Sequence, residues 1–412
     1  MDRRVTLLLF LSLLFSGARA SVVSLSLKES EQRFSEHNLE VIAERYNIDI
    51  AEAQVVQAKL FEQNVYNRLN GHYFDFGKQG ETIIEVEQLI YIAGQRNKRV
   101  RLEKIHKEMA LYQFEEVLRT LRSELKEKFV TLYFTRKSQS IYDREIDSLA
   151  HLLKVLKEQN EKGNVSLLEK SRIEALLLSL RQERNDIANQ VISLQGDMRL
   201  LLGLSGNDTF EPIFDESVLN QIDMDSVPFS ELTSLLYERP DLKLAQVSIK
   251  ASEADVRLQR SLAFPEVSVK GTYDKAGNFI NDYWAIGLSV SLPIFNRNQG
   301  NIRAAKISVA QKAHKEEYAR RHAENELFTS YARLEKAIQL YRSSNYGLEK
   351  DFALIIEGVN LNFQKRNISL LEFIDYYETY KTTCLQLYQT QKEVLLALEE
   401  VNTVTGSHVF NY

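Results

Sequence analysis

Between Gly94 and Gly163 the chain contains neither glycine nor proline, and its first proline stands at position 212. Charged residues and Leu dominate that interval. The strongest helix breakers are missing where good helix formers are abundant. This predicts one helix of about 65 residues, roughly 100 Å long at a rise of about 1.5 Å per residue. Ordinary globular helices are several-fold shorter. A second long helix is predicted from about Gly300 toward Arg366, with Gly347 and Gly358 as soft points.

The chain also repeats itself. "AEAQV" at 51–55 answers "SEADV" at 252–256, and "NLEV" at 38–41 answers "RPDL" at 239–242 more weakly. "IAGQRNKRVR" at 92–101 answers "IFNRNQGNIR" at 294–303, and "KGNVSLLEK" at 162–170 answers "KRNISLLEF" at 365–373. Four matches at offsets of 201 to 203, in one order, predict a tandem duplication. The repeats run over 21–208 and 230–412, with 209–229 as connector. Each reads as helix, β-hairpin (about 67–93 and about 265–295), long helix, tip (about 162–166 and about 365–369) and returning helix.

The returning helices carry coiled-coil seams. Apolar residues occupy 173, 177, 180, 187, 191, 194, 198 and 201, broken by Arg184. In the second copy they occupy 370, 373, 377, 380, 384, 387, 394, 398 and 401, broken by Gln391. This 3–4 alternation predicts helices packed side by side. Cys384, the single cysteine, falls in the seam and reads as a small buried hydrophobe.

The hairpins alternate with period two. In "NDYWAIGLSVSLPIF" at 281–295, Trp284, Ile286, Leu288, Val290, Leu292 and Ile294 face one way. Ile84, Val86, Ile90 and Ile92 keep the same phase in the first repeat, with Glu85 and Glu87 opposite. The partner strands are expected in 67–76 and 265–274. The pattern fits a soluble sandwich or a membrane barrel. Residues 1–20 read as a signal peptide cut after Ala20, with Ser21 rather than a lipid-bearing Cys next. Removing them moves the net charge from −5 to −7, which argues against nucleic acid as a partner. No later segment offers the 18 or so consecutive apolar residues of a membrane helix. A membrane route must therefore use strands, and four strands cannot close alone because open edges leave unpaired backbone groups in lipid. Copies must share a barrel.

This combination of signal peptide, repeat of about 200 residues and helix–hairpin–helix–turn–helix order resembles the TolC-like outer-membrane efflux proteins over essentially the whole mature chain. "LPIFNRNQGNIRAAK" at 292–306 and "AGQRNKRVR" at 93–101 most resemble the CzcC-like heavy-metal branch, although Gly94 is followed by Gln95 where a second glycine is expected. The resemblance implies a mainly α fold with a small membrane β-barrel. Each chain would give four strands to a twelve-stranded barrel of a homotrimer in the outer membrane, continued by a helical tube in the periplasm. It implies a passive exit duct, not an enzyme, working with a periplasmic adaptor (membrane fusion protein) and an inner-membrane pump of the resistance-nodulation-division type. Metal cations are the expected cargo. Drug efflux or type I protein secretion is one alternative, and a non-pore periplasmic coiled-coil protein is another.

The chemistry is sparse. No nucleotide, nucleophile or zinc motif is present, none of the seven histidines pairs at metal-ligand spacing, and no cofactor is expected. The tips carry the candidate residues. Ser166-x-x-Glu169 and Ser369-x-x-Glu372 read as capping boxes. On the resemblance, Asp375 and Glu372 would ring the pore constriction. Asp375 is the better lumen residue because Glu372 is also claimed by the cap. Arg366, with Lys365, would hold the closed state. Gly163, Asn164, Val165, Ser166 and Leu167, with Asn367, Ile368 and Ser369, would form adaptor-docking tips. Trp284, Ile286, Leu288, Val290, Ile84 and Val86 would face outer-membrane lipid.

Overall fold

The computed structural model describes residues 21–61, 63–70, 81–222, 228–276, 280–344 and 346–410. The expected signal peptide, the turn at 77–80 and the centre of the turn at 275–281 lie outside the described residues. In chain order the elements are β1 (Val22–Ser26), α1 (Leu27–His37), α2 (Leu39–Ala58), β2 (Gln63–Asn70) and β3 (Glu81–Ile90). Then follow α3 (Gln95–Glu161), α4 (Leu167–Leu202), β4 (Thr209–Ile213), α5 (Phe229–Leu235) and α6 (Pro240–Ser261). The chain ends with β5 (Glu266–Ala276), β6 (Asn281–Ser291), α7 (Gln299–Ser343), α8 (Leu348–Gln364) and α9 (Leu370–Thr405). Helix α3 fills the interval between the two glycines with 67 residues. The second long helix differs from expectation. It breaks between Ser343 and Leu348, where Gly347 gives α8 no side-chain cap, while Gly358 is absorbed inside α8. Among the described residues no helix is long and apolar enough to cross a membrane.

The chain divides into two compact units. One unit comprises 43–117 and 237–323 and holds a four-stranded antiparallel sheet of order β2-β3-β5-β6. The sheet joins the two hairpins through β3 and β5, with Ile84 opposite Tyr273 and Ile90 opposite Val267. Both helices that follow the sheet start alike. A left-handed residue, Gly94 (φ 67) or Asn298 (φ 55), precedes a glutamine. Gln95 Oε1 accepts from the Ala93 amide (3.2 Å), and Gln299 Oε1 accepts from the Arg297 amide (2.8 Å). The structural offset here is therefore 204, not 202, and the second junction is the longer one, with seven residues between β6 and α7 against four between β3 and α3.

The other unit comprises the described residues within 21–42, 118–236 and 324–410. Its core follows the coiled-coil seams. Ile173, Leu177, Leu180, Leu194, Met198 and Leu201 of α4 are buried, as are Leu370, Phe373, Tyr377, Tyr380, Cys384, Leu387, Val394, Leu398 and Val401 of α9. Both seam breaks find partners. Arg184 Nε donates to Asp143 Oδ1 at 2.9 Å, and Gln391 Nε2 donates to Glu216 Oε2 at 3.2 Å. The stretch expected only as connector contains β4, which pairs in parallel with β1 in a two-stranded sheet.

Candidate functional site

The two tips are built to one plan. Two residues beyond the end of α3 stands Gly163 (φ 74) and two beyond the end of α8 stands Arg366 (φ 60), both left-handed. In each, the next residue's amide reaches back to close the turn: Asn164 N to Gln159 O and Asn367 N to Asn362 O, both 2.9 Å. This is the usual left-handed helix stop, which favours glycine because it has no Cβ to clash. Arginine accepts that conformation in the second copy, and its guanidinium donates to the backbone carbonyl of Asn164. The tip of one repeat is thus tied to the tip of the other.

Each returning helix then opens with a complete capping box. Glu169 N donates to Ser166 Oγ (3.2 Å) while Ser166 N donates to Glu169 Oε2 (3.0 Å). Glu372 N donates to Ser369 Oγ (3.2 Å) and Ser369 N donates to Glu372 Oε2 (2.7 Å). Those bonds, the Ser369 amide foremost, hold the Glu372 carboxyl below its ordinary pKa. Val165 and Ile368, one residue before each cap, pack on a shared apolar cluster that includes Phe363, Phe373 and Tyr377. The rings of Phe363, Phe373 and Tyr377 stack in series at 4.5 and 4.6 Å. Below them Tyr377 Oη donates to Asn360 Oδ1 (2.7 Å) and lies 2.8 Å from Ser148 Oγ, joining α3, α8 and α9.

The sequence-derived gate residues separate at this point. Glu372 is engaged in its cap. Asp375, one turn on, is exposed and has no partner among the described residues. Leu167, Leu168 and Leu371 project from the tips at 65%, 67% and 69% exposure. Both leucines before Glu169 project, whereas before Glu372 only Leu371 does, because Leu370 is buried in the seam of α9.

The sequence reading missed a buried charged cluster further along the same helices. Glu145 of α3 is 3% exposed, and its Oε1 has no partner. Beside it Lys381 of α9 binds Glu183 and Glu378, each at 3.0 Å. Burial pushes the Glu145 carboxyl up to about 8, against the pull of Lys381. The signal available in sequence was a lone glutamate among seam-facing residues of α3. Among the described residues no group of three His, Cys, Asp or Glu has the geometry of a metal site.

On the sheet, Ile84, Tyr273 and Trp284 form one cross-strand row, and Val86, Gly271 and Ile286 the next. Ile84, Val86, Trp284, Ile286, Leu288 and Val290 share this face, with exposures from 41% to 90%. The opposite face pairs charges: Lys270 Nζ meets Glu85 at 2.8 Å, and Ser268 Oγ donates to Glu87. An apolar outside and a polar inside is the pattern of a lipid-facing barrel wall.

Residues 232–345 match the family model described as outer membrane efflux protein. The chain is 25% identical to the pyoverdine export outer membrane protein OpmQ of Pseudomonas aeruginosa over 45% of this chain and 40% of OpmQ. It is 25% identical to the cobalt-zinc-cadmium resistance protein CzcC of Cupriavidus metallidurans over 70% of this chain and 68% of CzcC. The match to OpmQ thus spans less than half of that relative's length. The crystal structure of CusC superposes with a TM-score of 0.74 at 16% identity, over 95% of this chain and 94% of that one.

Proposed function

We propose, for a chain whose family and fold are those of the TolC-like outer membrane efflux proteins, that three copies assemble into the exit duct of a tripartite efflux system. The observation that carries this is the sheet. Among the described residues its outer strands β2 and β6 each have one unpaired edge, while one face is apolar and exposed. Backbone edges cannot stand open in lipid, and membrane barrels begin at about eight strands. Copies must therefore complete the wall. Three give twelve strands, in keeping with the resemblance. Conduction through such a duct is passive. An inner-membrane pump and a periplasmic adaptor would supply energy and connection.

Metal cations are the proposed cargo, because the likeness to CzcC covers more of the chain than the likeness to OpmQ at the same identity. OpmQ's name favours an organic solute as the second reading. Reconstitution in planar bilayers tests the duct, with unheated and heated electrophoresis to detect the oligomer. Deletion followed by growth on cobalt, zinc or cadmium salts, against a panel of organic toxicants, tests the cargo. A protein recovered in the aqueous fraction without detergent overturns the duct. Unchanged metal tolerance with lost tolerance to organics selects the second reading.

A further inference from the structure

The strands β3 and β6 end at the same end of the sheet, since Ile90, Val267 and Val290 lie in one cross-strand row. The residues that follow are strongly one-sided in charge. Between Ile90 and Leu102 stand Arg96, Lys98, Arg99 and Arg101 with no acidic residue, and between Leu292 and Lys306 stand Arg297, Arg303 and Lys306, again with none. Exposed apolar side chains crowd the same level: Phe61 at 64%, Ile92 at 55%, Phe264 at 55% and Phe295 at 91%.

A cleft of about 490 Å³ opens within this zone, lined by Phe61, Leu89, Ile90, Tyr91, Arg96 and Asn97 among others. The Arg96 guanidinium lies 4.1 Å above the Phe61 ring and donates to the Lys59 carbonyl. No carboxylate neutralises it among the described residues. Gly94 at the rim has open space where a Cβ would stand. The cleft also sits at the first turn of α3, where helix amides and the helix dipole favour an anion. Its floor continues into the apolar sheet face, because Ile90 lies in phase with Val86 and Ile84.

We propose that this cleft binds an anionic phospholipid of the leaflet at the helix end of the sheet, with Arg96 holding the phosphate and an acyl chain lying on Ile90 toward Val86. The inference rests on the membrane-barrel reading above. The Arg96 guanidinium, which meets no carboxylate among the described residues, supplies the headgroup contact. Tyr91, in the lining of the cleft, marks the interfacial level, where rings with a polar tip prefer to sit. A freely dissolved phosphate would use the first feature and leave the apolar floor without a role.

The test uses the full chain, purified in detergent and delipidated, then titrated with dioleoylphosphatidylglycerol and counted by native mass spectrometry. Dioleoylphosphatidylcholine and inorganic phosphate are the comparison probes. The wild type should retain the anionic lipid in preference to the zwitterionic one. Arg96→Ala should weaken retention about tenfold, the scale of one charge-assisted hydrogen bond. Should that variant not assemble, Asn97→Asp places a negative charge in the cleft while keeping Arg96, and retention should again fall. Equal retention of both lipids, displacement by phosphate, or retention unaffected by the assembled variant overturns the proposal. A chain that needs no detergent would instead overturn the membrane reading beneath it.

Discussion

Arg366 stands where the first repeat has Gly163, and it reaches across to the backbone carbonyl of Asn164, so one tip holds the other. The residue is left-handed at φ 60, a conformation that costs a side-chain-bearing residue roughly 1 kcal/mol relative to glycine. Arg366→Ala and Arg366→Gly both remove the tie, but only the first keeps the strain. Chemical denaturation should therefore show Arg366→Gly more stable than Arg366→Ala by about 1 kcal/mol. Equal stabilities would mean that the turn relaxes once the guanidinium is gone.

The capping boxes make a paired prediction. Ser166→Ala and Ser369→Ala should each cost about 1 kcal/mol, the usual worth of an N-cap side chain. Glu372 adds a pH signature. Its folded pKa is lowered by the Ser369 amide and hydroxyl, so its contribution is present above the ordinary carboxylate pKa of 4.5 and lost as pH falls through the folded value. The stability gap between wild type and Glu372→Ala should therefore be open at neutral pH and narrow in acid. A gap that stays constant with pH would remove the ionised carboxylate from the cap.

Glu145 behaves in the opposite sense. Its folded pKa is raised to about 8 by burial. The folded state then holds a proton that the unfolded state releases, and stability falls as pH rises from about 4.5 toward 8. Glu145→Gln should flatten that slope and be more stable than wild type at pH 8 or above, by a few kcal/mol at most, since Lys381 offsets part of the burial penalty. Melting curves across pH check this. A slope that survives the substitution would place the titrating group elsewhere.

What the sequence disclosed follows from the range of each interaction. The seam positions of α4 and α9 were readable because a helical period is local, and Cys384 lies buried where the period put it. The partners of Arg184 and Gln391 were not readable, because Asp143 and Glu216 come from distant segments. The β1–β4 pair was invisible for the same reason. Five-residue strands carry little pattern, and Val22 meets Thr209 only in three dimensions. At the tips, aligning "KRN" with "KGN" holds a clue that local propensity hides. A left-handed glycine in one copy implies a left-handed arginine in the other. The capping of Glu372 was legible from spacing alone, whereas the unpartnered oxygen of Glu145 required the packing of neighbouring helices.

Asp375 separates the cap from the pore. It lies three residues beyond Glu372, on the same side of α9, and it is exposed without a partner among the described residues, whereas Glu372 is consumed by Ser369. In a threefold assembly Asp375 would contribute one carboxylate per subunit near the axis, and like charges facing a narrow passage attract cations and repel anions. Asp375→Asn removes that charge at nearly constant shape and leaves Ser369, Glu372 and the Phe373 packing in place. Planar-bilayer reversal potentials in a salt gradient should shift toward zero for Asp375→Asn, with thermal stability unchanged. Glu372→Gln, which keeps a capping acceptor, should move selectivity less. If Glu372→Gln instead abolishes selectivity while Asp375→Asn does not, the cap and the constriction share one carboxylate, and Asp375 belongs to the outer surface of the tip.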